Sequence, residues 1–158
     1  MVQVLADRRT GSQQMVAELL KVRERMLALY SELARQQPFT DRERVLDLLE
    51  QFCQTLIDYT ADAHFRLYRH VDERRERRRA VVEVAERVYG DILATTDAIL
   101  LFNDRYDFSR GRKLVDITSL EEDLSRLGER LADRIELEDQ IIAALSGRPA
   151  AVERRRSA

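Results

Sequence analysis

The chain of 158 residues has one cysteine, two prolines, two histidines and no tryptophan. A single cysteine excludes an internal disulfide, and Cys53 reads as a small buried hydrophobe. Two histidines are too few for a helical metal site. His64 and His70 lie six residues apart, on opposite sides of a helix, and Ala61 stands where a di-iron bundle would carry Glu. No apolar run approaches the ~20 residues that cross a bilayer. The opening MVQVLADRRTG lacks the apolar stretch of a signal peptide. Gly-rich phosphate loops and nucleophile motifs are missing too. The net charge of −2 gives no basic field to attract nucleic acid or an anionic membrane. The run HVDERRERRRA is interrupted by Asp72, Glu73 and Glu76, and Glu73–Arg77 is a helical pair. It reads as a solvated helix face, and the Arg154–Arg156 tail carries little more weight. These absences predict a cytoplasmic non-enzyme with no cofactor, no metal, no direct nucleic-acid contact and no membrane contact.

What is present is charge (35%) and hydrophobicity (44%) arranged at helical spacing. Met15, Leu19, Val22, Met26, Leu29 and Leu33 form one stripe, with Ser12 as the expected N-cap and Pro38 as the stop. Thr40-Asp41-Arg42-Glu43 fits a capping box that opens a second helix. Its stripe is Val45, Leu49, Phe52, Leu56, Ala63 and Leu67, and it fades within the charged run Asp72–Arg79. A third helix carries Val81, Ala85, Val88, Ile92, Thr96, Ile99 and Phe102, and Gly111 marks a turn. Thr118-Ser119-Leu120-Glu121 fits a second box. It opens a fourth helix with Leu120, Leu124, Leu127, Leu131, Ile135, Ile142 and Leu145, closed by Gly147 and Pro149. The expectation is an all-α fold, an antiparallel up-down four-helix bundle. Residues 1–11 are expected to be a flexible N-terminus, 12–146 the single bundle domain and 147–158 a disordered tail.

The segment FCQTLIDYTADAHFRLYRHV has apolar residues on more than one face. At 100° per residue from Leu56, the stripe lies within about 40°; Ile57, His64 and Tyr68 fall about 80–120° round, and Asp58, Ala61 and Phe65 lie roughly opposite. A surface helix should show charge there. One reading is packing against two neighbours, with His64 at the boundary. The other is a partner-binding surface of rings and acids, in which Asp58 and Asp62 favour a basic partner. Arg134–Glu138 reads as a surface i,i+4 pair supporting its helix by only a few tenths of a kcal/mol. Two alternative functions are a histidine phosphotransfer bundle using His64 and a self-associating helical scaffold. Against the first, Leu67 and Tyr68 stand where such bundles usually carry Lys and Gly.

The same segment resembles the second-helix signature of the Rsd/AlgQ family of bacterial anti-sigma regulators. Phe52, Cys53, Leu56, Asp58, Tyr59, His64, Phe65 and Tyr68 match at the family's spacing. Phe102-Asn103-Asp104-Arg105 and RIELEDQII, with Arg134, Leu137, Glu138 and Asp139, are similar to its third- and fourth-helix patterns, and Arg23 fits its first. Ala17, Leu19, Ala61 and Ala63 depart from it. The resemblance implies a four-helix bundle that binds region 4 of the primary sigma-70 factor. Sigma would thereby be kept from core RNA polymerase and the −35 element. Further partners known in the family are a phosphotransferase-system carrier protein and a stringent-response enzyme. The contact residues it implies are Arg23, Asp58, Tyr59, His64, Phe65, Tyr68, Glu138 and Asp139, with Asp58, Glu138 and Asp139 supplying charge and Phe65 and Tyr68 apolar contact. Tyr59 and His64 have a second possible role, in a buried polar network.

Overall fold

A computed structural model of the chain describes residues 2–69 and 79–147, and the side chains among them from residue 11 onward. His70, the Glu73–Arg77 pair, the remainder of the charged run to residue 78, and the tail from residue 148 lie outside the described residues. Among the described residues four α-helices form the frame: α1 (Val2–Ala34), α2 (Arg42–Asp62), α3 (Arg79–Arg105) and α4 (Leu120–Leu145). The end of α2 continues as a π-helical stretch, Ala63–Tyr68. No strand occurs among the described residues, and none of their helices is long and apolar enough to cross a membrane.

Neighbouring helices run antiparallel, as the contacts between them show. Glu32 meets Arg44 and Glu18 meets Arg66 across α1 and the α2 segment. Phe52 meets Phe102 and Tyr68 meets Tyr89 toward α3. Arg105 meets Asp123 and Arg87 meets Gln140 between α3 and α4. Tyr30 meets Leu124, and Arg23 meets Glu138, closing the ring between α4 and α1. The expected seams fill the core: Leu19, Met26, Leu33, Leu49, Phe52, Leu56, Ile92, Ile99, Leu124 and Leu131 are all buried.

The helix boundaries differ from expectation at three places. Helix α1 begins at Val2, so Ser12 lies inside it and caps nothing; α1 runs through the 2–11 segment expected to be flexible. The N-cap of α2 is Asp41 rather than Thr40, its carboxylate accepting the Arg44 N–H at 3.2 Å. Ser119 caps α4 through its backbone only, while Thr118 turns back onto the Asp116 carboxylate. In each case a nearby acid or a continuing helix outcompeted the expected hydroxyl. Gly147 takes the left-handed backbone expected where α4 closes, at φ 70°, and Gly111, expected in a turn, also has a positive φ, 103°.

Helix α4 passes close to α1 at Gly128. A Cβ built there would lie 2.1 Å from the Tyr30 hydroxyl oxygen, the group that donates to the Leu124 carbonyl at 2.8 Å. Tyr30 is pinned by that bond and by the edge of Phe52. Gly128→Ala is expected to destabilise the fold by about 1–3 kcal/mol through overpacking. Urea midpoints should show a smaller loss when the same change is made in Tyr30→Phe.

A candidate docking face held by a buried carboxylate

The α4 seam contains two charged residues where leucines would be expected. Arg134 and Glu138 continue the spacing of Leu124, Leu127 and Leu131, and both side chains are essentially sealed from water. Their pairing is therefore a core contact, correcting the surface pair expected from the sequence. Glu138 Oε2 accepts from the Tyr59 hydroxyl at 2.5 Å and from Arg23 at 3.2 Å. Oε1 accepts from the Tyr68 hydroxyl and from Arg134 Nε, each at 3.0 Å. Arg134 Nη1 reaches the Thr95 and Thr96 hydroxyls at 3.1 and 2.8 Å. Arg23 reaches out to the exposed Asp139 at 2.8 Å. One carboxylate thus joins α1, the α2 segment and α4, and Arg134 extends the network to α3. Two guanidinium groups balance two carboxylates, and Arg134 also lies over the rings of Tyr59 and Tyr68 at 5.6 and 5.9 Å.

The π-helical stretch is what allows both tyrosines to reach Glu138. Tyr59 and Tyr68 are nine residues apart, so on a continuous α-helix they would point about 180° away from each other. In the π turn the Arg69 N–H bonds to the His64 carbonyl, five residues back. One extra residue in the turn rotates the succeeding side chains by about 100°, which brings Tyr68 inward. Tyr68 is accordingly buried rather than on the surface expected from uniform α spacing.

Phe65, within the same stretch, faces outward and is 59% exposed. His64 stands beside it, ring centroids 5.2 Å apart, and is exposed. Asp58 and Ile57 are exposed about two turns earlier. Arg66 leaves this face, pairing with Asp62 and with Glu18 of α1. Cys53 sits half-buried on α2, its thiol pushed up to about 12 by burial and then by Glu50, so it stays neutral.

The chain matches the family model described as "Regulator of RNA polymerase sigma(70) subunit, Rsd/AlgQ" over residues 1–146. The chain belongs to the Rsd/AlgQ family. It is 33% identical over 143 residues to the Regulator of sigma D of Enterobacter sp. (strain 638), covering 88% of this chain and 84% of that protein. It is 29% identical to the Regulator of sigma D of Yersinia enterocolitica (87% and 84% covered) and 31% identical to that of Shigella dysenteriae (87% and 87% covered). No solved structure matches the chain.

The residues singled out by the Rsd/AlgQ resemblance separate into two groups. Arg23, Tyr59, Tyr68 and Glu138 belong to the buried network, so Glu138 offers no charge and Tyr68 no ring at the surface. Asp58, His64, Phe65 and Asp139 are exposed. Of the two residues with a possible network role, Tyr59 takes part and His64 does not. Thr95 has no place in the sequence reading, Thr96 figures there only as a seam position of α3, and Ile57 only as part of a second apolar face. The signal for the first two lies in pairing charged seam positions of α4 with polar seam positions of α3.

Removing the shared acid, as in Glu138→Ala, is expected to cost about 3–5 kcal/mol, because the buried Arg134 loses its counter-charge and Arg23 keeps only the exposed Asp139. Tyr68→Phe should cost about 1.5–3 kcal/mol, the range for a hydrogen bond to a charged group. Both are measured by denaturant titration. Burial, reinforced by the negative charge of Glu138, raises the hydroxyl pKa of Tyr59 and Tyr68 well above that of ordinary tyrosine. In the unfolded chain they ionise near pH 10. Their contribution to stability is complete below that value and is lost as pH rises beyond it. Stability should therefore be insensitive to these groups near neutrality. Above about pH 10 it should fall by up to ~1.4 kcal/mol per pH unit for each tyrosine. Tyrosinate absorbance should rise together with unfolding.

Proposed function

We propose that this chain is a non-enzymatic, cytoplasmic anti-sigma factor. It binds region 4 of the primary sigma-70 factor and keeps it from core RNA polymerase and the −35 promoter element, by stoichiometric sequestration. Membership of the Rsd/AlgQ family supports regulation of sigma(70). The observation that carries the docking reading is the exposed Phe65 ring, with His64 against it and Asp58 on the same outward side of α2. Aromatic anchors of this kind hold most of the energy of small interfaces, and nearby acids steer basic partners. Asp139 adds a further exposed acid beside Arg23. In this reading Arg23, Tyr59, Tyr68 and Glu138 act as positioning residues that fix the segment bearing Phe65. The phosphotransfer alternative is disfavoured, since His64 is followed at three and four residues by the buried Leu67 and Tyr68.

The purified protein titrated into isolated sigma region 4 is expected to form a one-to-one complex. Phe65→Ala should weaken it by roughly tenfold or more, the range of an interface anchor. Asp58→Ala should lower the association rate and flatten its dependence on salt. Wild-type affinity in both variants would overturn the assignment of this face.

A further inference from the structure

The flank of α3 that turns toward α2 is uncovered. Tyr89, Leu93 and Leu100 share it within about 40° on a helical wheel and are 41%, 44% and 46% exposed. Arg87 and Arg105 mark the opposite flank, since both reach α4. On α2, Asp62 marks the flank nearest α1, through Arg66 and Glu18. Ile57, 39% exposed, lies on the other side, toward α3. The Tyr68–Tyr89 contact, centroids 6.3 Å apart, joins the two helices at one end, and Phe52–Phe102 joins them at the other. Between these ring contacts the two helices share an apolar strip that no other element covers among the described residues. From Tyr89 to Leu100 it runs about 17 Å, three turns of a helix.

The outer margin of the strip is acidic. Glu86, Asp97 and Asp104 follow the α3 stripe on its solvent side, and all three are exposed. None of these acids forms an ion pair among the described residues, whereas the cations Arg66, Arg87 and Arg105 are engaged elsewhere, Arg79 pairs with Glu83, and Arg69 lies over the Phe65 ring at 5.9 Å. The unmatched charge along the strip is therefore of one sign. Burying leucines beside unpaired carboxylates suits an amphipathic helix whose apolar stripe is flanked by Lys or Arg.

We propose that the α2–α3 strip is a docking groove for a basic amphipathic helix of a protein partner, with Leu93 and Leu100 as its floor. This deepens the proposed function by giving the sigma(70) contact a second element beyond Phe65, and for the partner's identity it rests on that reading. Two measurements separate the two claims. The first is titration of full-length protein with sigma region 4, using Leu93→Asp, Leu100→Asp and Asp97→Lys. Each is expected to lose at least tenfold in affinity, with helical content by circular dichroism unchanged. The second uses a synthetic helical peptide of Leu and Lys, with Leu at positions i, i+3, i+4 and i+7, followed by backbone NMR. The peptide should shift resonances around Leu93 and Leu100 in the wild type and not in Leu100→Asp, and a Glu-for-Lys peptide should not bind. If the wild type fails to bind sigma region 4 yet captures the Lys peptide at these residues, the groove stands and the sigma reading falls. If sigma binds all three variants as it binds the wild type, or the peptide binds wild type and Leu100→Asp alike, the groove is refuted. Light scattering that shows a wild-type dimer dissolved by Leu93→Asp would also refute it, by making the strip a seam between copies.

Discussion

A carboxylate closed off from water is tolerable only if everything around it is arranged to receive its charge. Glu138 is such a group, and the arrangement of the bundle centre depends on it. Both of its oxygens are filled, by two phenols and two guanidinium groups drawn from α1, the α2 segment and α4. Arg134 then passes the constraint to α3 through Thr95 and Thr96. Apolar seams of leucine allow helices to slide by a turn at modest cost. A polar centre linked through one carboxylate does not, because a shifted register would strand a buried charge. The π turn at Ala63–Tyr68 belongs to the same constraint, since it delivers the second phenol.

That constraint reaches the outside of the molecule. The turn that directs Tyr68 inward also sets the direction of His64 and Phe65, which lie within it. An exposed aromatic on an otherwise charged helix loses less freedom on binding if its backbone is already fixed. The interior network and the outward ring are in this sense two sides of one short helical segment. The groove proposed between α2 and α3 begins where that segment ends, at the contact of Tyr68 with Tyr89.

Much of this was legible in the sequence. The repeating spacings of three and four located all four helices and nearly every core leucine, because burial in a bundle imposes that period on each chain segment. The outward positions of Asp58, Ala61 and Phe65 came from the same wheel. Two things escaped it. Arg134 and Glu138 occupy seam positions, but charged residues at helical pair spacing look the same on a surface as in a core until the partners across the bundle are known. Tyr68 was misplaced because a wheel assumes uniform winding, and the π turn is held by a residue seventy positions away. The start of α2 differs for a local reason: adjacent residues compete for one cap, and Asp41 takes it in place of Thr40.

The dependence of the α2 ending on Glu138 can be read directly from the backbone of Ala63–Arg69. In Glu138→Leu, chemical shifts and amide exchange along this stretch should change together. The Arg69 N–H should exchange its bond to the His64 carbonyl for one to Phe65, as the π turn tightens to α and Phe65 rotates. If the stretch keeps its five-residue hydrogen bond and Phe65 its environment, with changes confined to side chains touching residue 138, the buried carboxylate does not set the docking face.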